Sequence, residues 1–122
     1  MDYLNNEKEI KKINSFLNEH LWVDFCFEKV EDNYLKLVGS KDFSWGETII
    51  EIEFIGCIYA NILLNTWTKP DNHVFIEMQN NNKESYVECK LSHDVCKFVI
   101  YAQNDFNSII YAKDLRCRLF NE

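Results

Sequence analysis

The chain has 122 residues, 20 acidic against 13 basic ones, and a formal net charge of −7. This length is typical of one domain, here residues 1–122, that buries roughly two thirds of its unfolded surface. The acidic balance argues against binding to nucleic acid or to an anionic membrane, because both need Lys and Arg against phosphate groups.

Residues 6–19 carry a helical pattern. Their apolar side chains recur at three- and four-residue steps, at Ile10, Ile13, Phe16 and Leu17. This is the spacing of one apolar helix face. Asn6 and Glu9 match a capping box with Asn in place of Ser or Thr. The pattern predicts an amphipathic helix that lies on a sheet.

From residue 22 to residue 120 the apolar residues mostly alternate with polar ones, which is typical of β-strands. Asp32 and Asn33 mark a hairpin turn, and residues 48–54 form the cleanest strand. We expect a loop at 38–46, because this stretch contains Gly and Ser, and a strand buried on both faces at 58–67.

Later runs predict strands near 74–79, 87–91, 98–102, 109–112 and 115–119, with an Asn-rich turn at 80–83. Short strands at this spacing are typical of antiparallel architectures. The predicted fold class is therefore α+β and mostly β: an N-terminal helix followed by an antiparallel β-meander, as a sandwich, a curved sheet or a small barrel.

The five cysteines include no CxxC pair, and the three histidines have no second His or Cys at metal-ligand spacing on a helix. We expect reduced thiols, no structural metal and no cofactor. Residues 1–20 contain Asp2, Glu7 and Glu9 and no continuous apolar core, so a signal peptide is not expected and the predicted location is cytoplasmic.

Two arrangements could support catalysis. Glu51 and Glu53 lie on one face of a strand, about 7 Å apart, a separation that suits acid–base work on glycosides. Cys96 and His93 could act as nucleophile and base. The chain contains no GxSxG, GxGxxG, P-loop or HExxH motif, and we therefore expect it not to be an enzyme.

The acidic residues are concentrated between residues 24 and 53. This stretch contains eight acids and three lysines, and so holds five of the seven net negative charges. The acids are Asp24, Glu28, Glu31, Asp32, Asp42, Glu47, Glu51 and Glu53. A field of this kind steers association with a positively charged partner.

The chain's size, acidic charge and strand pattern, including the closing segment SIIYAKDLRCRLF at 108–120, resemble those of small immunity proteins of bacterial polymorphic or contact-dependent toxin systems. The resemblance carries over no site residue. It implies an inhibitor that covers the basic cleft of a toxin, such as a nuclease. The expected contacts are Glu31, Asp32, Asp42, Glu47, Glu51 and Glu53, with Trp45 as an aromatic anchor.

A different function also fits the pattern. A closed or curved sheet can hold a small ligand in an internal pocket. The aromatic residues that would line such a pocket are Phe25, Phe27, Phe54 and Tyr59. A small-ligand-binding β-domain is therefore the alternative to the inhibitor hypothesis.

Overall fold

The computed structural model describes residues 3–20, 22–44, 46–71, 73–79 and 95–120. Helix α1 (Tyr3–Asn18) begins three residues earlier than predicted and ends one residue earlier than predicted. Ile13 and Leu17 are buried, as their spacing predicts. Among the described residues, no helix has the length and apolar character that a membrane span requires.

Within the described ranges, nine strands follow α1: β1 (Asp24–Glu31), β2 (Tyr34–Ser40), β3 (Thr48–Ile55), β4 (Tyr59–Asn61), β5 (Trp67–Thr68), β6 (Ile76–Gln79), β7 (Cys96–Tyr101), β8 (Asn107–Ala112) and β9 (Asp114–Leu119). They form a first sheet of order β5-β1-β2-β3-β9 and a second of order β4-β8-β7-β6. All the pairings are antiparallel. The predicted fold class is confirmed, and the described strands form no closed barrel.

One antiparallel strand pair runs through both sheets and bends between them. β3 pairs with β9 as far as Ile55, and beyond the bend the chain continues as β4, which pairs with β8. Gly56 at the bend has a φ of 70°. A Cβ there would lie 3.0 Å from the Lys113 side chain. Glycine therefore suits this corner in both backbone conformation and space.

Helix α1 covers the outer edge of β9 with a row of polar side chains. The Leu115 N–H donates to Asn6 Oδ1 at 3.0 Å. The Cys117 N–H donates to Glu9 Oε1 at 3.3 Å, and Lys12 Nζ donates to the Cys117 carbonyl at 2.9 Å. The three helix residues are three positions apart and share a face, so they take the place of a neighbouring strand.

The helix also reaches the second sheet. Asn14 Nδ2 donates to the Ile76 carbonyl at 2.8 Å, and Asn14 Oδ1 accepts hydrogen bonds from the backbone N–H groups of Ile76 and Phe75. α1 therefore bridges β9 and β6, one edge strand of each sheet, whereas the sequence pattern indicates only a helix against a sheet.

Aromatic rings fill the space between the sheets. Phe25 stacks on Phe75 and Trp67, with ring centroids 4.3 and 5.2 Å apart. Phe54 meets Phe98 edge-on at 5.6 Å. All five side chains are buried, and aromatic contacts of this kind add to the free energy gained from burial alone.

Two of the predicted elements are wrong. Instead of a loop beginning at residue 38, β2 extends to Ser40, because Gly39 lies against the Phe25 ring in the core and not in a turn. Instead of one buried strand at 58–67, there is an exposed β4 and a separate two-residue β5. An apolar run does not by itself distinguish these cases. The strand predicted at 87–91 and the turn at 80–83 lie outside the described residues.

Candidate partner-binding site

The described residues of the predicted partner-binding set do not lie together. They occupy three regions: Glu31 and Asp32 at the β1–β2 turn, Glu51 and Glu53 on β3, and Asp42 and Glu47 between β2 and β3. The first and last regions are separated by the seven residues of β2, a distance of about 20 Å at the usual rise per residue. Trp45 lies outside the described residues.

The central region is neutralised by cations from neighbouring strands. Glu51 lies 3.1 Å from Lys36 Nζ and 3.7 Å from Arg118 Nη1. The same Lys36 Nζ lies 3.1 Å from Glu28. Hydrogen bonds to the carboxylates of Glu28 and Glu51 raise the pKa of Lys36. The outer face of the first sheet therefore carries a row of alternating charges, and not an acidic patch.

Glu53 is held in a similar way. It accepts a hydrogen bond from the Tyr34 hydroxyl and lies 4.0 Å from Arg116 Nη1. Burial and, as the second largest cause, this hydrogen bond raise the pKa of Tyr34 to about 12. The antiparallel register places Arg116 opposite Glu53 and Arg118 opposite Glu51. The two carboxylates do lie on one face, as predicted, but both are engaged in cross-strand contacts.

The loop between β2 and β3 uses its polar groups for its own structure. Asp42 Oδ1 accepts a hydrogen bond from the Ser44 N–H at 2.8 Å. The buried Ser40 hydroxyl accepts from the Asp42 N–H and donates to the Glu47 carbonyl. These bonds define the loop backbone and leave the Glu47 side chain exposed.

A groove of about 540 Å³ lies at the other end of the first sheet. One wall is the β1–β2 hairpin, with residues 30–33, and the other is the segment 57–60 at the start of β4. Val30, Ile58 and Tyr59 are exposed by 58, 42 and 38%, respectively. Exposed apolar side chains in a shared groove are typical of an interaction site.

The two carboxylates at this groove differ from those on β3. Neither Glu31 nor Asp32 forms a salt bridge with any residue of the described ranges. Both side chains are exposed at the hairpin end. The groove therefore combines apolar surface with negative charge that the described residues do not neutralise.

The walls of the groove are fixed to each other by the backbone. The Asn33 carbonyl accepts hydrogen bonds from the N–H groups of Gly56 and Cys57, at 2.9 and 3.1 Å. Asn33 itself has a φ of 62°, a left-handed conformation that Asn tolerates better than most residues. The turn predicted at Asp32–Asn33 thus joins the hairpin to the corner between the sheets.

No protein-family model, curated protein or solved structure matches this chain. A functional conclusion therefore depends on the geometry of its surfaces. In the part of the chain that the structure describes, no group of three or more His, Cys, Asp or Glu residues is placed to hold a metal ion.

The residues predicted for the alternative functions form neither an internal pocket nor a reactive pair among the described residues. Phe25 and Phe54 have no solvent exposure and pack against other rings, whereas Tyr59 lies on the surface of β4. Cys96 is 4% exposed, and burial raises the pKa of its thiol, which disfavours the reactive thiolate. His93, its predicted partner, lies outside the described residues.

A second groove, of about 480 Å³, lies near the β7–β8 turn, and the sequence pattern does not point to it. Tyr101 donates a hydrogen bond to Glu77 and contacts the His73 ring at a centroid distance of 4.4 Å. Burial and, as the second largest cause, this hydrogen bond raise the pKa of Tyr101 to about 12. The same hydrogen bond lowers the pKa of Glu77. Pairing of β6 with β7 brings Glu77 and Tyr101 together.

Proposed function

We propose that this protein is a non-enzymatic inhibitor that binds a basic protein, such as a toxin or nuclease, and covers its substrate cleft. One observation carries the proposal: at the groove beside the β1–β2 turn, exposed apolar side chains lie next to carboxylates that no described residue neutralises. We place the binding surface at this groove, and not on β3.

The chemistry of the groove suits a protein partner. Val30, Ile58 and Tyr59 offer apolar and aromatic area, the kind of surface found at the centre of protein interfaces. Glu31 and Asp32 at the rim would attract a positive partner and speed its association at low salt. The net charge of −7 adds to this attraction at longer range.

The proposal is tested by affinity capture from a lysate of the native host at low and at high salt, with mass spectrometry. We expect one basic protein at low salt and less of it at high salt. The captured protein is then purified and its activity measured with and without this domain. Capture without inhibition would contradict the inhibitory role.

Two matched variants locate the surface. Glu31→Gln/Asp32→Asn removes two charges at the groove, and Asp42→Asn/Glu47→Gln removes two charges at the far end of β2. We expect the first pair to slow association at low salt and the second to have little effect. The opposite result would place the interface at the β2–β3 loop.

A further inference from the structure

The bend between the two sheets creates two strand edges with no strand beside them in the described structure. β9 follows β8 past the bend without β7, the strand that pairs with β8, and β4 follows β3 past the bend without β2, the strand that pairs with β3. The edge of β9 is covered by Asn6, Glu9 and Lys12 of α1. No described element covers the corresponding edge of β4. Uncovered edges are templates for pairing with another chain.

Next to the edge of β4, a side chain on the inner face of the β1–β2 hairpin is left uncovered. Val30 pairs across the hairpin with Leu35, and paired residues of two strands share one face of the sheet. Leu35 is 3% exposed, so this face is the inner one, yet Val30 on the same face is 58% exposed. The inner face of the hairpin therefore extends beyond the second sheet, at the position where a strand beside β4 would cover it.

We infer that the open edge of β4 is a strand-addition site for an extended, basic segment of a partner protein, which would pair with Tyr59–Asn61 and place an apolar side chain against Val30. The inference rests on the proposed function and specifies its binding mode. Strand addition is a common way in which a sheet edge binds an extended peptide.

Charge selects the occupant. Glu31 and Asp32 line the groove, so Lys or Arg side chains on the added segment would have carboxylates beside them. A second copy of this chain would bring a net charge of −7 and the same two acids to the contact. Like charges facing each other disfavour that arrangement.

Because β4 is short, backbone hydrogen bonds to it can supply only part of the affinity for the added segment. A strand of three residues offers few backbone N–H and C=O groups to a partner, because alternate residues face β8. The exposed apolar side chains of the groove and the two carboxylates supply the remaining contacts. The hydrogen bonds from Gly56 and Cys57 to the Asn33 carbonyl hold both walls in place before binding, which lowers the entropic cost of association.

The test uses a synthetic peptide of alternating Lys and Val residues as the probe, titrated into the full chain and followed by amide chemical shifts. Two further peptides carry N-methyl groups on all Val amides or on all Lys amides, so that one of them loses the N–H groups that face β4. A Glu–Val peptide controls for charge, and sedimentation monitors dimer formation.

We expect shifts at residues 30–32 and 58–61, no binding of the Glu–Val peptide, and a loss of about tenfold or more in affinity for at least one N-methylated peptide. Glu31→Gln/Asp32→Asn should weaken binding of the Lys–Val peptide by roughly tenfold, whereas Asp42→Asn/Glu47→Gln should not. Shifts confined to other residues, equal binding of all three basic peptides, or dimerisation through 59–61 would overturn the inference.

The outcomes separate this inference from the proposed function. If Glu31→Gln/Asp32→Asn prevents capture of the inhibited basic protein while both N-methylated peptides bind as well as the parent, the inhibitor proposal stands and strand addition is overturned. If the captured protein is not inhibited, the proposed function fails, whatever the peptides show.

Discussion

Asn6 and Leu115 lie 109 residues apart in the chain and are joined by a hydrogen bond of 3.0 Å from the Leu115 N–H to Asn6 Oδ1. The amide nitrogen of Asn6 donates in turn to the Lys113 carbonyl at 3.0 Å. Asn6 is completely buried. One side chain thus pairs with a backbone N–H on the edge of β9 and with the carbonyl of the residue just before β9.

Replacing Asn6 should be costly. Asn6→Ala leaves a buried N–H and a carbonyl group without their partner, and we expect the free energy of unfolding to fall by about 3 kcal/mol. Urea denaturation measures the change. Ser15→Ala, at an exposed position of the same helix, is the matched control and should change stability by about 0.5 kcal/mol or less. Equal effects of the two substitutions would contradict the role of Asn6.

Lys36 should stabilise the fold through its two carboxylate partners. Lys36→Met leaves Glu28 and Glu51 without their shared cation, and we expect a loss of about 1 kcal/mol. Adding Glu51→Gln should recover part of it, which a double-mutant cycle would measure. Lys29→Met, at an exposed position on β1, is the control. Strict additivity of Lys36→Met and Glu51→Gln would exclude the interaction.

Gly39 should not tolerate a side chain. A Cβ at this position would lie 2.7 Å from both Ile50 Cγ2 and Phe25 Cε1, so Gly39→Ala should destabilise the protein by about 2 kcal/mol through overpacking. Gly46→Ala is the comparison, because a Cβ there would have open space around it. Its only expected effect is the strain of placing Ala in a left-handed backbone conformation, which lowers stability by about 1 kcal/mol. A smaller effect at Gly39 than at Gly46 would count against this packing.

The protein should lose stability in alkali. The pKa values of Tyr34 and Tyr101 rise from 10.0 to about 12 on folding, so above pH 10 the unfolded chain binds fewer protons than the folded one. Their contribution is present at lower pH and is lost as the pH rises through the folded values. Denaturation midpoints across this range should fall, and less steeply in Tyr34→Phe and Tyr101→Phe. An unchanged slope in both variants would refute this assignment.

Local patterns in the sequence predict those elements whose structure depends on residues close together in the chain. The apolar spacing of α1 and the turn at Asp32–Asn33 depend on neighbours along the chain, and both are present. Gly39 misleads such reasoning because a glycine in a loop and a glycine beneath an aromatic ring look alike in a sequence. The ring above it, Phe25, lies on a different strand.

The candidate site could be predicted only in part, because charge is partly cancelled by pairing. The stretch 24–53 is acidic in sequence, but Arg116 and Arg118, more than sixty positions later, lie opposite Glu53 and Glu51. Nothing within the stretch indicates this register. Glu31 and Asp32 were predicted as contacts, whereas the groove beside them forms only when the bend at Gly56 brings 57–60 to the hairpin.

The contact between α1 and β9 also delays the last step of folding until the end of synthesis. α1 leaves the ribosome first among the described elements, yet the edge that its polar row matches belongs to β9, the last of them. Hydrogen bonds across 105 to 109 residues belong to slow folding reactions. Until β9 emerges, the edge of β3 that it will pair also stays open to other chains, so nascent protein carries an aggregation risk that the finished fold removes.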